Sequence, residues 1–162
     1  MNLSTSLPDD LPWDAQQAFV LLDGASCTAL PERLKQLDPA AHSIALYDQP
    51  PFSELRDISP LLVTVQPPDG AILQFYLQQA HEEWGVLLFS RQSAHEVARH
   101  LRKLLIVELP EGSSVVLRLA DAAVAQALEH CGQDVVRRDE SDRAVGQVQR
   151  NVARVRGPRG FG

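Results

Sequence analysis

Apolar residues along this chain come in two habits, short unbroken runs and stripes spaced three and four apart. Ala18 to Leu22 in "AFVLLDGAS" form an unbroken run closed by Asp23-Gly24, which predicts a buried strand ending in a tight turn. A short helix follows, with Thr28 placed to cap it, Leu30, Leu34 and Leu37 at helical spacing, and Asp38-Pro39 to stop it. "HSIALY" (42–47) and the β-branched "LLVTVQ" (61–66) predict two more strands, separated by a connection rich in Pro and Asp. From Ala71 to Glu83 the stripe Ile72, Phe75, Tyr76 and Ala80 predicts a helix, and "GVLLFS" (85–90) the next buried strand.

Ser93-x-x-Glu96 then reads as a capping box, so a helix starts at Ala94, with Ala94, Val97, Ala98, Leu101 and Leu105 on its apolar stripe. "LLIVEL" (104–109) and "SVVLRLA" (114–120) flank Pro110-Glu111-Gly112-Ser113, a hairpin signal. "DAAVAQALEHCG" (121–132) predicts a last helix with Asp121 as its N-cap. Strands alternating with helices and finishing in a hairpin point to an α/β fold. Its mixed sheet is expected to be flanked by helices, parallel in part and antiparallel near the hairpin, with a C-terminal hairpin-helix unit and a basic tail.

Charge divides the chain. Residues 1–136 carry 8 basic and 18 acidic side chains, while 137–162 carry 7 Arg against 3 acidic ones. The expected organisation is a flexible N-terminal arm (1–13), an α/β domain (14–136) and a basic, flexible tail (137–162), in which Val145, Val148, Val152 and Val155 would also suit a short helix. A net charge of −6 argues against nucleic acid as a partner. No apolar run approaches the roughly 20 residues that span a bilayer, and the first thirteen residues lack the basic and apolar regions of a signal peptide, so a cytoplasmic address without membrane contact is expected.

The stretch "SAHEVARHLR" (93–102) comes within one residue of a zinc-protease helix. Two histidines at i and i+4 share a helix face, but His95 and His100 are five apart and point about 140° from each other. Cys27 and Cys131 form no C-x-x-C pair, and the phosphate-binding and nucleophile-elbow signatures are absent, so no metal, cofactor or catalytic group is expected. Asp23-Gly24 at the end of the first strand stands where α/β proteins often place a functional carboxylate, but as a lone signal this is weak, and a turn-forming Asp-Gly is the preferred reading.

Taken in order, "FVLLDGA", "GVLLFS" with its Ser-capped helix, "RHLRKLLIVELPEG" and "VVLRLAD" before a final helix resemble the type VI secretion adaptor or chaperone family built on domain of unknown function 4123. The resemblance spans roughly Ala18 to Cys131. It implies a non-enzymatic bacterial protein that holds a secreted effector in the cytoplasm and helps load it onto the valine-glycine-repeat spike protein. The matching positions are Leu22, Asp23 and Gly24 in the first turn, His100, Leu101 and Arg102 on the capped helix, and Arg118 and Asp121 at the end of the last strand. They are expected to be structural or partner-binding, with Arg102, Arg118 and Asp121 in a charge-paired network. Family members usually carry Asp-Pro where this chain has Asp121-Ala122, so its last helix starts without the preset φ of a proline. The alternative from another class is a small acidic immunity protein that neutralises a toxin by direct binding. Inhibition of the toxin in vitro separates the two, because an adaptor binds without needing to inhibit.

Overall fold

The computed structural model describes residues 7, 10–66, 69–79, 84–121, 124 and 152–153. Its elements in chain order are β1 (Gln17–Leu22), α1 (Leu30–Leu37), β2 (Ser43–Ala45), a 3₁₀ segment (Ser53–Ile58), β3 (Leu61–Val65), α2 (Ala71–Gln78), β4 (Gly85–Ser90), α3 (Ala94–Lys103), β5 (Ile106–Glu108), β6 (Ser114–Val116) and β7 (Val152–Ala153). The main sheet has the order β2-β3-β1-β4-β7, and β5 and β6 form a separate two-stranded sheet.

The α/β fold is the one expected, with helices on both faces of a sheet, and the direction of the strands refines it. Every pairing among the described residues is antiparallel. β1 and β2 run the same way, as do β3 and β4, but each of these helix-linked pairs has one strand inserted between its members. The two βαβ crossovers are thus interleaved, as in the ferredoxin-like split arrangement. Alternation of strands and helices in sequence reports the crossovers and is silent on the inserted strand.

Both faces of the sheet are covered, which explains the unbroken apolar runs. Ala18, Val20 and Leu22 of β1 point to one side, where α1 and α2 contribute Leu30, Leu34, Ile72, Leu73, Phe75 and Tyr76. Phe19 and Leu21 point to the other, against Val97, Ala98 and Leu101 of α3. Burying one such side chain is worth about 1.5–3 kcal/mol.

Local signals fare unevenly. Thr28 does not cap α1: Ala29 occupies the N-cap position at φ 55° with no side-chain cap, and burial of Leu30 and Leu34 holds the helix instead. The hairpin forms as expected, with Gly112 at φ 91° and the Leu109 N–H donating to the Ser113 carbonyl at 2.7 Å. Its strands are shorter than the apolar runs, because Leu105 turns into the core and Leu119 and Ala120 are buried beyond β6. At the end of the expected loose arm, the Trp13 ring meets Phe89 edge-on with centroids 4.9 Å apart. The last helix lies outside the described residues apart from Asp121 and Val124, whose N–H donates to Asp121 Oδ1 at 3.3 Å, the bond an N-cap makes. The tail also lies outside them, except for Val152–Ala153, which pairs with Leu87 and Leu88 of β4. Among the described residues no helix is long and apolar enough to cross a membrane.

The capping box of α3 is complete. Ser93 Oγ accepts from the Glu96 N–H at 3.3 Å, and the Ser93 N–H donates to Glu96 Oε2 at 3.0 Å. These bonds, the backbone one foremost, hold the Glu96 carboxyl below the usual glutamate range. Ser93→Ala should cost about 1 kcal/mol, a drop of about 2–4 °C in Tm for a chain of this size. A depressed folded pKa gives stability that is present above the ordinary glutamate value and is lost as pH falls through the folded one. The Tm gap between wild type and Ser93→Ala should therefore narrow on acidification, and a gap unchanged into the acid range would remove the carboxylate from the cap.

Candidate functional site

The antiparallel order brings the ends of β1 and β2 and the starts of β3 and β4 to one end of the sheet. The residues singled out in the first turn gather there. Asp23 leaves β1 with its N–H donating to the Trp84 carbonyl at 2.8 Å. Its side chain is 8% exposed, and the carboxylate accepts from the Ala25 N–H at 3.1 Å, from Ser26 Oγ at 2.7 Å and from the Arg118 guanidinium. The same guanidinium donates to Ser26 Oγ at 3.1 Å. Asp23 therefore organises its own turn and ties it to a segment far along the chain.

Gly24 is required here by a close approach. A Cβ at this position would overlap the Ser59 carbonyl oxygen and lie 3.0 Å from the Ile58 carbonyl carbon. The backbone of residues 58–59 can pack on the turn only because residue 24 has no side chain. Ser59 is itself buried, accepts from the Tyr47 N–H at 2.9 Å and donates to the Pro60 carbonyl at 2.8 Å.

Arg102 does for β2 what Arg118 does for β1. It donates through Nε to the Leu46 carbonyl at 3.3 Å and through Nη2 to the Ala45 carbonyl at 2.8 Å, and it meets Asp48 Oδ1 at 2.9 Å. α3 is thereby fastened to the loop leaving β2. Between the two arginines lies Tyr47, buried and stacked on Phe52 with centroids 5.0 Å apart. Burial pushes its phenol pKa up, the Asp23 carboxylate adds to the rise, and Arg118 opposes it. Arg118 is raised in turn, first by its bond to Asp23 and more weakly by the charge of Asp121.

The structure thus joins Asp23, Gly24, Arg118 and Asp121 in one cluster, with the Asp121 N–H donating to the Arg118 carbonyl at 3.0 Å. Arg102 belongs to a second pair with Asp48, so the expected charge network is two staples at one sheet end. Leu22 and Leu101 are core residues on opposite faces of the sheet, and His100 lies half-buried on α3. Sequence reasoning missed Ser26, Tyr47, Asp48 and Ser59. Of these only Asp48, an acid directly after a strand, carried a signal. Among the described residues no three His, Cys, Asp or Glu side chains gather in a way that could hold a metal ion.

A family model described as "Domain of unknown function (DUF4123)" matches residues 18–138, a span that contains every residue of this cluster. The chain is also 33% identical over 124 residues to the protein named Accessory protein VasW of Vibrio cholerae serotype O1 (strain ATCC 39315 / El Tor Inaba N16961), an alignment covering 76% of this chain and 41% of that relative. No solved structure matches it.

Magnitudes rank the contacts. The Arg118 side chain is 60% exposed, so water screens its pair with Asp23, and Arg118→Ala should cost about 1 kcal/mol or less. Gly24→Ala forces backbone apart and should cost about 1–3 kcal/mol; denaturant titration that ranks them the other way round would refute this account of the turn. Tyr47 provides an alkaline test. Its raised folded pKa gives stability that is present below the ordinary tyrosine value of 10.0 and is lost as pH rises through the folded one. Tyr47→Phe should flatten the fall of Tm above that value, and an unchanged slope would place the phenol in water.

Proposed function

The chain belongs to the DUF4123 family, and from that premise we propose that it serves type VI secretion as a non-enzymatic adaptor or chaperone in the bacterial cytoplasm. It binds a secreted effector and assists its loading onto the valine-glycine-repeat spike protein. Support for the secretion role comes from the family match together with the likeness to Accessory protein VasW. The observation that carries the non-enzymatic part is the state of Asp23. The carboxylate at the end of β1 accepts from Ala25, Ser26 and Arg118 of its own chain, contacts that hold its turn and the segment after the hairpin together. A carboxylate so committed is a scaffold element.

An acidic body next to an arginine-rich tail offers two unlike surfaces, as two unlike partners require. Co-expression with the effector encoded beside it should give a complex that survives purification and recruits the spike protein, and removal of residues 137–162 should weaken one of the two contacts. Failure to bind either protein would overturn the adaptor reading, and inhibition of the effector's toxicity in vitro would replace it with an immunity function.

A further inference from the structure

Most large apolar side chains among the described residues are buried or half-buried, yet four exposed ones fall together on the β5–β6 hairpin. Ile106, Val107, Val115 and Val116 are 42%, 36%, 37% and 52% exposed. Ile106 lies opposite Val116 and Val107 opposite Val115, so both faces of the ribbon are apolar and open. An isolated two-stranded ribbon is marginal in water, and a third strand or a covering element is what normally stabilises one.

The backbone has open edges as well. The Leu117 N–H donates to the Leu105 carbonyl at 2.8 Å and the Leu109 N–H to the Ser113 carbonyl at 2.7 Å. Antiparallel ladders alternate hydrogen-bonded and non-bonded pairs, so Val107 and Val115 bond inward, and Ile106, Glu108, Ser114 and Val116 turn their N–H and C=O groups outward. No further strand lies beside either edge among the described residues. Proteins usually guard such an edge with a lysine, a proline or a bulge. From Leu104 to Leu117 there is no basic residue, and the single proline, Pro110, lies in the turn.

Charge selects the occupant. The hairpin's only charged side chains are Glu108 and Glu111, and the nearest arginine in sequence, Arg118, is engaged by Asp23. A second copy docking hairpin on hairpin would bring glutamates against glutamates. We propose that the β5–β6 hairpin is a strand-addition site that takes an extended segment of a partner protein, apolar at alternate positions and carrying lysine or arginine between them. Main-chain hydrogen bonds would supply affinity, and the valine faces and glutamates would supply selectivity. The inference rests on the adaptor reading only for the identity of the partner.

Hydrogen exchange on the full-length protein, read amide by amide, tests it in three states: dilute and alone, with a synthetic peptide alternating valine and lysine, and in complex with the co-expressed effector. A strand added along the outer edge of β6 bonds Ser114 and Val116, so the peptide and the effector should each slow those two amides, and a twin peptide with glutamate for lysine should bind about tenfold more weakly. Val116→Pro, which removes an outward N–H and leaves the inner bonds, should abolish that protection, and Val116→Lys should do the same should the proline disturb the ribbon. Slow exchange already present in the dilute protein would assign the edge to another segment of this chain, and protection rising with protein concentration would assign it to a second copy; either overturns the proposal. An effector complex that leaves these amides unprotected also overturns it, with the adaptor reading intact, whereas protection by the lysine peptide without any effector complex upholds the hairpin and removes the adaptor reading.

Discussion

β1 has no free side. β3 and β4 bond its two edges along its length, and helices cover its two faces, leaving Phe19 and Val20 wholly inaccessible to water. A polar side chain anywhere from Ala18 to Leu22 would be desolvated without a partner, at a cost of several kcal/mol. The strand must therefore be apolar in both phases, and its first polar residue must find partners at once. Asp23 does so with its N–H on Trp84 and its carboxylate on the turn and Arg118. The sheet-end cluster follows from the way the central strand has to leave the core.

The same constraint set what could be read in advance. Unbroken runs such as "FVLL" and "GVLL" announce strands buried on both faces, but with the alternation gone they say nothing of direction, and strands buried on both faces are the pattern of parallel neighbours. The capping box of α3 was legible because all its atoms lie within one turn of chain. Thr28 misled because burial of Leu30 and Leu34 fixes where α1 begins, with Ala29 in a left-handed conformation that no sequence rule assigns to alanine. In the cluster, Asp23 and Arg118 were both marked, but their union spans 95 positions and left no trace in local spacing. Tyr47 and Ser59 were invisible for a different reason: what they offer one another is a backbone N–H and a hydroxyl, and no residue pattern is needed for that.

The two arginines also explain how the second part of the chain is seated. Arg102 comes from α3 on one face of the sheet and holds the last carbonyl of β2 and two groups of the loop after it. Arg118 follows the hairpin and holds the turn after β1, while Leu119 and Ala120 beside it are buried in the same cluster as Val97 and Leu101. Apolar contact supplies the adhesion. The charges set the position, since a guanidinium reaching a carboxylate or a pair of carbonyls tolerates little sliding. Between these anchored ends β5 and β6 pair with each other and with no further strand among the described residues.

Interleaving the two crossovers has a kinetic side. Leu22 pairs with Leu61 on one edge and Gly85 on the other, so β1 is made before both of its neighbours and waits through β2 for β3 and through α2 for β4. Only β2 and β3 are both adjacent in sequence and paired in the main sheet. Neither βαβ half can assemble a continuous sheet by itself, and long loops must close before their contacts bring any return, which slows folding and makes it cooperative. A nascent chain of this topology carries its most apolar strand unpaired for the longest time. During synthesis the protein thus passes through a stage in which its own central strand is the one in need of shelter.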